Sequence, residues 1–68
     1  MTVARVTELS STSEQSFEDA IEKGVERATK TLRNVKSAWV KEQEVRVGDD
    51  GKINAYQVNM LVTFILED

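Results

Sequence analysis

The run "SFEDAIEKGVERATKTLRN", residues 16–34, limits what this chain can become more than any other stretch. Phe17, Ala20, Ile21, Gly24, Val25, Ala28 and Leu32 recur at spacings of three and four, which is one apolar stripe along an amphipathic helix. Charged residues take up most of the remaining turns. Among them Asp19–Lys23 and Glu26–Lys30 are acid-before-base pairs one turn apart, each worth a few tenths of a kcal/mol. Ser16 suits the N-cap, with Asp19 three positions on as a weak capping box, and Asn34 suits the C-terminal cap. Ala20, Gly24 and Ala28 form a ridge of small side chains. Glycine costs a helix about 1 kcal/mol relative to alanine, so Gly24 predicts a close approach to a neighbouring layer. One stripe covers one face of that layer and leaves the other to something else.

The layer is a sheet. Residues 2–10, "TVARVTELS", read as a strand rich in valine and threonine, and "SSTSEQS" reads as a polar loop leading to the helix. Two longer strands follow near 35–47 and 52–66, joined by "GDDGK", where Asp50-Gly51 is a strong hairpin signal. The spaced carboxylates of a calcium loop are missing from that turn. The order is β-α-β-β in one domain, residues 1–68. The last strand is the most apolar and belongs in the centre, which makes every pairing antiparallel in spatial order 1-3-2. The predicted class is α+β, a three-stranded antiparallel sheet curved around one amphipathic helix.

A chain of 68 residues builds a marginal core on its own. Cysteine and histidine are both absent, which removes disulfides, thiolate chemistry, the commonest zinc ligand and the commonest general base. Association is the remaining route to stability. Nine basic against twelve acidic residues give a net charge of −3, which disfavours nucleic acid and anionic membrane surfaces as partners. No apolar run is long enough to span a membrane and no signal segment opens the sequence, so a cytoplasmic protein is expected.

The period-two rule sorts the last strand into two faces. Tyr56, Val58, Met60, Val62, Phe64 and Leu66 share the side expected to meet the helix, where Tyr56 reads as packing. Ile53, Ala55, Gln57, Asn59, Leu61, Thr63 and Ile65 share the other, which is too apolar for a solvated surface and predicts cover by other subunits. In the middle strand the phase changes: Ala38 and Val40 agree with each other, and Val45 and Val47 agree in the opposite phase. One extra residue within 41–44, a β-bulge, would turn both pairs toward the helix and leave Trp39 and Arg46 facing away, beside Gln57. The alternative is an unbulged strand with Trp39, the single tryptophan, in the core. An outward indole offers a stacking surface, a glutamine amide both donates and accepts, and a guanidinium can grip phosphate. Such a set suits a flat, phosphorylated heterocycle.

The order and spacing of "VTELSSTSEQSFEDAIEKGVERATKTLRNV", a tryptophan soon after the helix, "YQV" in the last strand and "FILED" at the end resemble the dodecins, small flavin-binding proteins. The resemblance implies a hollow spherical dodecamer that stores or buffers flavin and does not turn it over. It implies that Trp39 stacks on one of a pair of flavins held between symmetry-related subunits. It also implies that Gln57 hydrogen-bonds the pyrimidine edge of the isoalloxazine and that Arg46 meets a phosphate. FMN is then the expected cofactor, with riboflavin and FAD as alternatives. At Ile65 many bacterial members carry arginine, which puts any coenzyme A contact in doubt. The competing readings are an enzyme, a structural oligomer without ligand, a binder of another planar nucleotide such as coenzyme A and, most distant, a nucleic-acid binder.

Overall fold

The computed structural model describes residues 2–66; Met1, Glu67 and Asp68, the last two closing the "FILED" motif, lie outside the described residues. The elements are β1 (Ala4–Ser13), α1 (Phe17–Thr31), β2 (Val35–Val47) and β3 (Ile53–Ile65). They form one sheet in order β1-β3-β2, with both pairings antiparallel. β3 is central, as its apolar content predicts.

β1 runs three residues further than its composition suggests. Ser11, Thr12 and Ser13 pair with Val58, Gln57 and Tyr56, because an apolar central strand offers a ladder that low strand propensity does not outweigh. Ser13 then ends the strand with a structural role. Its hydroxyl donates to Asp19 Oδ2 at 2.6 Å, and its oxygen accepts the Gln15 N–H at 2.9 Å. Ser16 is the N-cap, its side chain accepting the Asp19 N–H at 2.9 Å. The Ser13 hydroxyl, and after it Lys23 at 3.3 Å, hold the Asp19 carboxyl below the ordinary aspartate range against some desolvation.

The other end of α1 differs from expectation. Leu32, not Asn34, is the C-cap, donating its N–H to the Ala28 carbonyl at 2.8 Å. Asn34 instead takes a left-handed backbone with φ of 60°, which asparagine tolerates better than most residues. It turns the chain into β2, and its carbonyl accepts the Ile65 N–H at 3.0 Å. At the β2–β3 turn Gly51 has φ of 80°, where a side chain would be strained, and donates to the Gly48 carbonyl at 2.9 Å.

The small-residue ridge is the part of the helix that touches the sheet most closely. Ala20, Gly24 and Ala28 are buried, while Phe17, Ile21 and Val25 flank them half-buried. A Cβ placed on Gly24 would lie 2.5 Å from Met60 Cε and 3.0 Å from Ser11 Cβ. Opposite the ridge, Val58, Met60 and Val62 are completely buried. Phe17 closes one end of this layer with an edge-to-face contact on Tyr56, ring centroids 5.2 Å apart.

Fifteen helical residues reach about 22 Å, whereas thirteen strand residues reach about 43 Å. The hairpin arm beyond Tyr56 therefore has no helix over it. Val45 pairs with Tyr56 on the helix side as the bulged reading requires, but Val47, expected there too, pairs with Ile53 past a further irregularity and is 62% exposed. The molecule measures 53 × 19 × 13 Å, and its radius of gyration is 14.1 Å where a compact chain of this length has about 11 Å. Its accessible surface is 5168 Å², against about 4,300 Å² for a typical folded monomer of its mass.

Candidate functional site

β2 meets β3 with three register irregularities, between Val35 and Ser37, Val40 and Glu42, and Arg46 and Val47. The second is the bulge expected within 41–44. Val40 pairs with Met60 and Glu42 with the adjacent Asn59, so Lys41 is the inserted residue without a partner. Ala38 and Val40 lie opposite the buried Val62 and Met60, which places them on the helix side. Trp39 pairs with Leu61 on the opposite face and is 69% exposed. The core reading of the tryptophan is excluded for the subunit.

The outer face brings two of the three expected residues into contact. Arg46 Nη2 donates to Gln57 Oε1 at 2.7 Å. Trp39 stands apart from them. It lies opposite Leu61, four positions along β3 from Gln57, which is about 13 Å of strand. The indole and the amide thus mark two ends of one strip of sheet, with Leu61 beside the indole and Asn59 between them on the same face.

The strip carries polar groups that composition alone did not single out. Gln57 Nε2 donates to Ser10 Oγ at 3.1 Å and, less directly, to Asn59 Oδ1 at 3.4 Å. Asn59 Nδ2 donates to Glu42 Oε1 at 3.1 Å. Lys41, freed from pairing by the bulge, reaches Glu8 across the sheet at 3.6 Å. Asn59 was visible in the sequence as a same-face neighbour of Gln57 at i+2. Ser10 and Glu42 become neighbours only through the register Ser10–Asn59–Glu42, which no local pattern encodes.

Chemically the strip offers a broad π face beside the half-buried Leu61 at one end and a hydrogen-bonding amide at the other. It is open on its outer side. A separate hollow of about 310 Å³ lies at the helix C-terminus, lined by Leu32, Arg33, Asn34, Phe64 and Leu66 among others, and contains none of the three expected site residues. Among the described residues no cluster of three or more histidine, cysteine or carboxylate side chains is placed to hold a metal, and no helix is long and apolar enough to cross a membrane.

Comparisons with known proteins agree with one another. The Dodecin family profile matches residues 3–67. A curated dodecin from Thermus thermophilus is 41% identical over 66 residues, covering 97% of this chain and 94% of the relative. The fold superimposes on dodecin from Streptomyces davaonensis with a TM-score of 0.91 at 36% identity, over 98% of this chain and 97% of that one. An arginine-to-alanine variant of T. thermophilus dodecin gives the same TM-score of 0.91 at 40% identity, over 100% of both chains. With the β-α-β-β order, the 1-3-2 sheet and the match along almost the entire sequence all in place, this chain belongs to the dodecin family.

Proposed function

We propose that this protein binds and stores flavin without catalysing its turnover. The observation that carries the reading is the indole of Trp39, 69% exposed on the face of the sheet that the helix does not cover. A large apolar ring left in water on a surface rimmed by hydrogen-bonding groups is better suited to a ligand or a second subunit than to solvent. In this proposal both are present. A second copy brings its own Trp39 to the same site, and flavin rings lie stacked between the two indoles.

Family membership and the shape of the subunit support assembly. A single copy leaves Val6, Trp39, Val47 and Ile53 each more than half exposed. It also leaves one edge of the thirteen-residue β2 unpaired. Packing copies together covers both, and the proposed assembly is a dodecamer. The absence of histidine and cysteine supports binding over catalysis, since the residues most often used to move protons or form adducts are missing. Stacking also suits storage, because an electron-rich indole on the isoalloxazine quenches its excited state and shields the ring from substrates. The proposed setting is the cytoplasm, and FMN, riboflavin and FAD all carry the ring on which the reading depends.

The test is a visible absorption spectrum together with a native mass for the purified protein. Flavin bands, quenched flavin fluorescence and a mass near twelve subunits are expected. Trp39→Ala should leave the mass unchanged while weakening flavin binding at least tenfold. A variant that keeps full affinity refutes the stacking model. Protein that leaves flavin fluorescence unchanged at every concentration points to the ligand-free oligomer, or to another planar nucleotide such as coenzyme A.

A further inference from the structure

The hydrogen bonds on the outer face run in one direction. Arg46 can only donate, and it donates to the Gln57 carbonyl. The Gln57 amide nitrogen donates to Ser10 and Asn59, and the Asn59 nitrogen donates to Glu42, whose carboxylate can only accept. A carboxamide alone on a surface has two orientations of similar energy. Here a cation at one end and an anion at the other select one orientation for both amides, and each bond polarises the next. Flipping Gln57 would point its NH₂ at the guanidinium and its carbonyl at the Asn59 oxygen, two repulsive contacts replacing two attractive ones.

We infer that Arg46 is a positioning residue that acts on the ligand through Gln57, holding the amide with its carbonyl toward the guanidinium, and that it is not primarily a phosphate contact. The inference rests on the flavin reading above. Gln57 Oε1 uses one of its two lone pairs on Arg46 and keeps one for a ligand N–H. The second Asn59 N–H and the Ser10 hydroxyl proton are left to donate to a ligand carbonyl. An acceptor beside donors is the complement of an imide edge, in which an N–H sits beside a C=O, and the pyrimidine end of isoalloxazine is such an edge. The bulge at Lys41 makes this possible, since it turns Arg46 onto the face that carries Gln57.

Riboflavin and FMN differ by one phosphate, so the pair separates the two roles of Arg46. Fluorescence titration of the assembled protein with each flavin is the measurement, on wild type, Arg46→Ala, Arg46→Lys, Gln57→Ala and the Arg46→Ala/Gln57→Ala double variant. Arg46→Ala is expected to weaken riboflavin and FMN by the same factor, about fivefold. Arg46→Lys, which still donates to the carbonyl, should recover part of that loss. In the Gln57→Ala background, removing Arg46 should add little. A flavin-independent readout accompanies the titrations: the Gln57 side-chain NH₂ resonances should shift in Arg46→Ala protein without ligand. A loss confined to FMN, or additive losses in the double variant, overturns the inference and leaves flavin storage standing. Unmoved Gln57 resonances overturn the locked amide whatever flavin does. Wild-type protein that binds neither flavin overturns the storage reading itself.

Discussion

Trp39 and Arg46 lie on the same face of the sheet although an odd number of positions separates them along β2. In a regular strand such a pair points to opposite sides. The inserted Lys41 restores the phase, so one bulge keeps the indole out of the core and brings the guanidinium to Gln57 at 2.7 Å. The same insertion keeps Ala38, Val40 and Val45 on the helix side.

Deleting Lys41 should therefore do far more than replacing it. The deletion turns Val45 outward and Arg46 toward the helix side. A cost of about 2 kcal/mol or more is expected, lowering the thermal midpoint by roughly 10 °C, together with loss of the Arg46–Gln57 contact. Lys41→Ala removes an exposed ion pair with Glu8 and should cost under about 0.5 kcal/mol. Thermal melts of both variants decide it, and equal midpoints would show that the bulge is dispensable.

Gly24→Ala pits helix propensity against space. Alanine favours the helix by about 1 kcal/mol, but its methyl meets Met60 Cε at 2.5 Å and Ser11 Cβ at 3.0 Å. The Met60 tip is mobile in principle yet sits in a fully buried environment, and Ser11 is held by its strand. Overpacking costs about 1–3 kcal/mol, so net destabilisation is expected in a urea titration, and larger still for Gly24→Val. A stabilised Gly24→Ala protein would mean that the helix rides further from the sheet.

Met60→Ala empties the centre of the small core. Leu, Ile and Met truncations at buried sites cost about 2–5 kcal/mol, which is most of what a domain of this size possesses. The variant is expected to lose cooperative unfolding by near-UV circular dichroism. Trp39→Ala, at an exposed position, should leave the subunit fold within about 0.5 kcal/mol of wild type.

Acid should loosen the joint between β1 and α1 through Asp19. Its carboxyl is held low in the folded protein, chiefly by the Ser13 hydroxyl. A depressed folded pKa contributes stability that is complete above the ordinary aspartate value of about 4 and is lost as pH falls through the folded value. Ser13→Ala should raise the Asp19 pKa toward the ordinary value, measurable by NMR titration, and flatten the acid limb of the stability curve below about pH 4. An unchanged Asp19 titration in that variant would assign the shift to Lys23 instead.

An elongated subunit with this much open surface should depend on its neighbours. Anything that binds the folded state raises its midpoint by mass action, so the melting temperature should climb with protein concentration. A midpoint independent of concentration in a range where native mass shows dissociation would show that the subunit stands alone.

Local order in the sequence was enough for the helix, its Ser16 cap, the Asp50-Gly51 turn and the central place of β3. Each of these depends on residues within a turn or two of one another, or on the apolar content of one strand. The phase break between Val40 and Val45 even located the bulge to four residues. Other features needed the assembled sheet. Ser11–Ser13 became strand because β3 offered unpaired partners, and Leu32 capped the helix because Asn34 was taken into the turn that meets Ile65. The Arg46–Gln57–Asn59–Glu42 chain, with Ser10 beside it, joins three strands whose alignment is set by backbone ladders between segments far apart in sequence. Periodicity reports which face a side chain takes, because that depends on its own strand; it is silent on which side chain lies opposite, because that depends on register.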